Sequence, residues 1–109
     1  MDTIIKDDLY RYIGNDNKKF MLQLRYFLFT PGFQYIYLFR KGSKASNPIS
    51  RLFWHFLMRL CMFKTGIQIP IGTKIDKGFR IVHFGHIVIN PSAKIGKNFN
   101  ISQGCLIGN

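Results

Sequence analysis

A chain of 109 residues provides one small domain or a fragment of a larger one, and at 47% hydrophobic and 16% aromatic it is too apolar to be disordered. Sixteen Lys and Arg against five Asp and Glu leave a net charge of +11, which favours anionic partners: coenzyme A phosphates, acidic glycans, lipid headgroups or nucleic acid. The longest charge-free aromatic run, residues 26–39, is broken by Pro31-Gly32 and falls short of the roughly 20 residues that a bilayer-spanning helix needs.

Residues 3–13 read as a short helix, and Gly14-Asn15-Asp16-Asn17 as a turn that caps the next segment. Three Asp among the first ten residues, with no apolar stretch, are not what a signal peptide looks like. Residues 18–29 carry Phe20, Met21, Leu24, Phe27 and Leu28 at helical spacing, and Pro31-Gly32 is expected to end that helix. A second aromatic helix is expected over 33–40, then a polar loop over 41–47. Pro48 suits the first turn of a further helix. Along it Ile49, Leu52, Phe53, Phe56, Leu57 and Leu60 line one face, with Arg51, His55 and Arg59 on another. Gly66 follows where a C-cap belongs. Residues 1–66 hold 11 of the bases and four of the acids, so the helical part is basic on its own.

From residue 66 the pattern changes. Ile recurs at 69, 75, 81, 87, 95, 101 and 107, in units IPIGTK, IDKGFR, IVHFGH, an eight-residue IVINPSAK, IGKNFN, ISQGCL and a final IGN. A second slot, two residues before the next leading Ile, holds Thr73, Phe79, Gly85, Ala93, Phe99 and Cys105, none of them charged. Neither a 3.6 nor a 2.0 period accounts for this, whereas short parallel strands stacked around a dry axis do. Each leading Ile is then expected to point inward, with Lys74, Lys77, Lys97 and Asn98 in turns facing water. Cys61 and Cys105 read as buried reduced thiols, consistent with a cytoplasmic protein.

The stretch GIQIPIGTKIDKGFRIVHFGHIVINPSAKIGKNFNISQGCLIGN resembles the hexapeptide-repeat acyltransferases, and most closely their serine O-acetyltransferase branch. Thr65-Gly66-Ile67, the Pro-containing first repeat, the repeat holding His83 and the expanded repeat after it carry the resemblance. Residues 26–40 are similar to the helical lead-in of the same branch. The resemblance implies an α+β chain: a helical cap over 1–65, then a left-handed parallel β-helix of hexapeptide repeats over 66–109, making about two coils. The cap would shield the open edge of the first coil. Members of the family continue with more coils, so the chain is expected to be truncated at its C-terminus.

The activity implied is O-acetyl transfer from acetyl-CoA, by a homotrimer. Such a transfer needs a base for the acceptor hydroxyl. Aligned through the repeats, His83 takes the place of the family's catalytic base; His86 and His55 are given no role. Two positions depart from the pattern. Gln68 stands where the family commonly has an acidic residue that orients the base, and it can do so only by a hydrogen bond. Val82 stands where serine acetyltransferases have an Asp that holds the serine amine. An apolar residue there favours a sugar hydroxyl, as in the capsule and exopolysaccharide O-acetyltransferases, over serine. The coenzyme A contacts are not assigned. A serine O-acetyltransferase, and an inactive remnant or basic binding module, are the alternatives. No metal is expected, since zinc would need three convergent His and the repeats hold two. Charge without a motif gives no nucleic-acid partner. Trp54, eleven Phe, five Tyr and the bases between them add a peripheral contact at the inner face of the membrane.

Overall fold

The computed structural model describes residues 3–13, 21, 24–25 and 28–108. The turn expected at 14–17 lies outside them, as does most of the helix expected over 18–29. Among the described residues the helices with both ends in view are α1 (Thr3–Ile13), α2 (Pro31–Lys44) and α3 (Pro48–Thr65), and they precede seven short strands. The strands are β1 (Ile67–Gln68), β2 (Lys74–Ile75), β3 (Arg80–Ile81), β4 (Ile87–Ile89), β5 (Lys94–Ile95), β6 (Asn100–Ile101) and β7 (Leu106–Ile107).

The helical residues 28–29 stop at extended Thr30, and Pro31 then opens α2, because at the first helical position its missing N–H costs nothing. The helix also runs on through Lys44, which shortens the expected polar loop to residues 45–47. At the start of α3 the Asn47 side chain accepts from the Ile49 amide at 2.8 Å, with Pro48 behind it. Gly66 ends that helix in the left-handed region, φ 76°, its N–H donating to the Met62 carbonyl at 2.7 Å.

α2 is the hub. Phe33, Tyr35, Ile36, Leu38, Phe39 and Arg40 are all buried, so the helix is covered on most of its circumference. One side takes Ile5 and Leu9 of α1, with the Tyr12 ring edge-on to Phe33 at 5.6 Å. Another side meets the strands so closely that a Cβ at Gly32 would lie 3.1 Å from Ile81. α3 packs on α2 through Met58, Cys61 and Thr65, with Leu57 half-buried. The face read as apolar from the sequence therefore looks outward, Leu57 excepted.

The expected left-handed parallel β-helix is corrected by the sheet topology. The strands form three separate small parallel sheets, β1-β4-β7, β2-β5 and β3-β6, and no closed or curled sheet. The physical reason is size. Strands of two or three residues, stacked only two or three deep, make ladders too small to curl or close. Within each ladder like lies on like: Ile67 beside Ile87, Ile75 beside Ile95, Ile81 beside Ile101, Ile89 beside Ile107. Of the seven leading Ile six are buried and Ile107 is half-buried, and Ile67 and Ile89 join them in the core. Phe79 and Phe99 continue the stacking with rings nearly parallel, 3° apart in plane, at 6.4 Å.

Helix side chains close the first-strand edges of all three sheets. The Tyr35 hydroxyl accepts from the Ile69 amide at 2.9 Å and donates to the Ile69 carbonyl at 3.2 Å. Tyr12 does the same for Ile81, at 2.9 and 3.0 Å. Between them the Asp8 carboxylate accepts from the Gly78 and Phe79 amides, at 3.0 and 2.9 Å, and from Arg40 Nε at 2.7 Å. Arg40 in turn donates to the carbonyls of Ile75 and Asp76. Burial pushes the Asp8 carboxyl up from its ordinary range, with the Arg40 guanidinium and the two amides pulling it back. Burial likewise raises both tyrosine hydroxyls, that of Tyr35 to about 12.

Candidate functional site

The strand register locates the irregularity that the sequence had assigned to IVINPSAK. Ile81 pairs with Ile101 and Ile89 with Ile107, so the chain takes eight residues from Ile81 to Ile89 but six from Ile101 to Ile107. The two additional residues therefore sit in the corner Val82-His83-Phe84-Gly85-His86, between β3 and β4. Ladder bonds hold both ends of this corner: the Val82 amide donates to the Ile101 carbonyl at 2.8 Å, and the Gly104 amide to the His86 carbonyl at 3.1 Å. Between those anchors the backbone must swing outward. Gly85 makes that possible with φ 128°, a region that side-chain-bearing residues avoid.

His83 is exposed on this corner, and its ring makes no hydrogen bond to another described residue. Val82 beside it is 40% exposed, and Phe84 is also exposed. An imidazole so placed is accessible to solute on its nitrogens, as a general base requires. His86, at the far anchor, is exposed too. Beneath the corner lies Gln103, whose Cβ would be 3.4 Å from a side chain at Gly85, and whose Oε1 accepts from the Ser102 hydroxyl. Neither residue was singled out from the sequence. Their offset of twenty from Val82 and His83 was the available signal.

Gln68 stands elsewhere. It is exposed in β1, opposite Val88 in the ladder, and no hydrogen bond joins its side chain to His83. It lies where two open clefts meet. One, of about 210 Å³, is lined by Tyr35, His55, Arg59 and Gln68 over Met58 and Met62. The other, of about 290 Å³, runs down the face of the first sheet past Val88, Pro91 and Leu106. His55, given no role from the sequence, is an exposed wall of the first cleft.

Among the described residues no three His, Cys, Asp or Glu side chains converge on a point that could hold a metal. Cys61 and Cys105 are free thiols, and burial pushes that of Cys61 up. Among the described residues no helix is long and apolar enough to cross a membrane. No protein-family model, no curated protein and no solved structure matches the chain.

Proposed function

We propose that the chain transfers an acetyl group from acetyl-CoA to a hydroxyl, with His83 as the general base. The observation that carries this reading is His83 itself. It is exposed and bonded to no other described residue, on a corner two residues longer than the corner beneath it, inside the motif that resembles the O-acetyltransferases. The acceptor hydroxyl gives its proton to a ring nitrogen, and its oxygen attacks the thioester carbonyl carbon. Collapse of the tetrahedral intermediate breaks the C–S bond, and the coenzyme A sulfur leaves with the proton from His83.

Val82 offers an acceptor no charge, so the reading takes a sugar hydroxyl of a capsule or exopolysaccharide precursor as acceptor, not the zwitterion serine. Gln68 remains the group that orients the ring. No such contact exists among the described residues of one chain, so the proposed homotrimer would have to supply it between protomers. The enzyme is placed in the cytoplasm, at the inner face of the membrane, where coenzyme A thioesters and the free Cys61 and Cys105 are at home.

The test is thiol release from acetyl-CoA with sugar acceptors and with L-serine, in the parent, His83→Ala and His86→Ala. His83→Ala should lose about 10²–10⁴ in kcat, and His86→Ala only a few-fold. With L-serine the parent should stay below about 10⁴ M⁻¹s⁻¹ in kcat/KM. Equal rates in His83→Ala and the parent would remove the base assignment.

A further inference from the structure

The outward side of α3 is an apolar surface that the described fold leaves uncovered. Ile49, Leu52, Phe53, Phe56, Leu60 and Phe63 are each between 52% and 79% exposed. At 3.6 residues per turn these six fall within an arc of about 100°. The buried side of the same helix, Met58, Cys61 and Thr65, lies opposite. Scattered exposed apolar residues need no explanation, but six contiguous ones on one helix face mark a surface that something covers.

Charge says what. On the same wheel Arg59 borders the arc on one side, with Arg51 beyond it, and Lys64 borders the other. All three are exposed. No acidic residue occurs anywhere from residue 17 to residue 75, so this rim is basic without interruption. The apolar surface continues past Lys64. Its ammonium donates to Gln34, which in turn reaches the Leu28 carbonyl, and Leu28 and Phe29 are both exposed there. On the Arg59 border lies the cleft of about 210 Å³ walled by His55, Arg59 and Gln68.

A second copy of the chain is a poor occupant. Two-fold pairing sets the same patch against itself, so Arg51, Arg59 and Lys64 would face their own kind with no carboxylate between them. Any other self-contact would have to draw on five acids, one of which, Asp8, is buried against Arg40. An anionic bilayer surface matches on both counts. Its headgroup–acyl boundary takes an apolar helix face, and its phosphates take the basic rim.

We propose that α3 is an interfacial helix: Ile49, Leu52, Phe53, Phe56, Leu60 and Phe63 enter an anionic lipid surface while Arg51, Arg59 and Lys64 bind lipid phosphates. The cleft beside Arg59 then receives one headgroup phosphate at the edge of the apolar face. The apolar helix face is separate from the His83 corner, although Gln68, which the acyl-transfer reading uses, walls the same cleft. The helix face would also hold the chain on the surface without any membrane-crossing segment.

Sedimentation of the intact chain with vesicles tests it. Phosphatidylcholine vesicles containing phosphatidylglycerol should bind the parent at least tenfold more tightly than phosphatidylcholine alone, and added salt should weaken that binding steeply. Phe56→Glu, and separately the pair Leu52→Ser and Phe63→Ser, should each lose at least tenfold while circular dichroism stays that of the parent, since all three side chains are exposed. Arg59→Glu with Lys64→Glu should lose as much. Lys94→Glu with Lys97→Glu, the same charge change on β5 and the turn after it, should stay within about twofold on the anionic vesicles. Four results would overturn the proposal: no binding, equal binding to neutral vesicles, loss of binding in the Lys94 and Lys97 pair equal to that in the Arg59 and Lys64 pair, or binding that ignores Phe56→Glu. Sedimentation velocity supplies a fifth, because self-association abolished by Phe56→Glu without vesicle binding would assign the face to a second copy.

Discussion

The first-strand and last-strand edges of the three sheets are finished in opposite ways. On the first, every one of Ile69, Ile75, Asp76, Gly78, Phe79 and Ile81 gives a backbone donor or acceptor to a helix side chain. On the last, β5, β6 and β7 pair with no further strand among the described residues, and Leu106 is 73% exposed. A two-residue strand has too few ladder bonds to hold itself, and an unpaired edge is a template for wrong partners. Tyr12 and Tyr35 imitate a neighbouring strand, each satisfying the amide and the carbonyl of a single residue. Asp8 and Arg40 do the same with charge. The helices therefore act less as a lid than as the missing strand of each sheet.

The sharpest way to break this contrast is to remove Arg40. Its loss leaves the Asp8 carboxylate buried without its cation and two strand carbonyls without a donor. Arg40→Ala is expected to cost about 3–5 kcal/mol, read as a fall in the urea midpoint with unchanged slope. Asp8→Ala should cost a similar amount, and the two together much less than their sum, because they serve one network. Additive losses would mean that the pair does not act as a unit.

Core truncation grades the same contrast. Ile81 is fully buried between its sheet and the backbone of α2 at Gly32, where there is no room for neighbours to collapse. Ile81→Ala should cost about 2–5 kcal/mol. Ile107, half-buried on the last strand, loses less contact and leaves no closed cavity, so Ile107→Ala should cost about 1 kcal/mol. Equal losses at the two sites would show that the last edge is as well supported as the first.

Part of this was legible in the residues. Ile every six positions marked the buried ladder, because a β-branched side chain recurring at that interval has no role on a helix face. The helix boundaries at Pro48 and Gly66 followed from cap chemistry. The β-helix expectation failed because periodicity counts units and says nothing of whether ladders this small curl. The expanded corner was misplaced for a related reason. Ile87 and Ile89 both point inward, and a single sequence offers no means of choosing which one starts the unit; the ladder, pairing Ile89 with Ile107, does. That choice moves the additional residues to His83. The outward turn of α3 was hidden because the helix is apolar on both sides, and its small Cys61 and Thr65 let it lie against its neighbours. The edge clamp did leave a trace. Asp8 shares the face of Ile5 and Leu9, and Arg40 that of Ile36, so each charge sits on an apolar stripe where only a buried partner could justify it.

The finest test of the first edge uses pH. The Tyr35 hydroxyl, buried and bonded to both backbone groups of Ile69, is held at about 12 against about 10 for the unfolded chain. Between those values the unfolded chain has released its proton while the folded chain keeps it, so stability falls as pH rises through the window. The shift corresponds to about 2–3 kcal/mol lost by pH 12. Tyr12, raised by the same cause, adds to the fall in the parent and in any variant that retains it. Tyr35→Phe should therefore start less stable near neutrality, by about 1–3 kcal/mol for the lost pair of hydrogen bonds and the Ile69 groups left open. It should then lose less on going to alkaline pH, so that the urea midpoints of parent and variant converge. Parallel curves across that window would mean that the hydroxyl is not sealed against the strand edge.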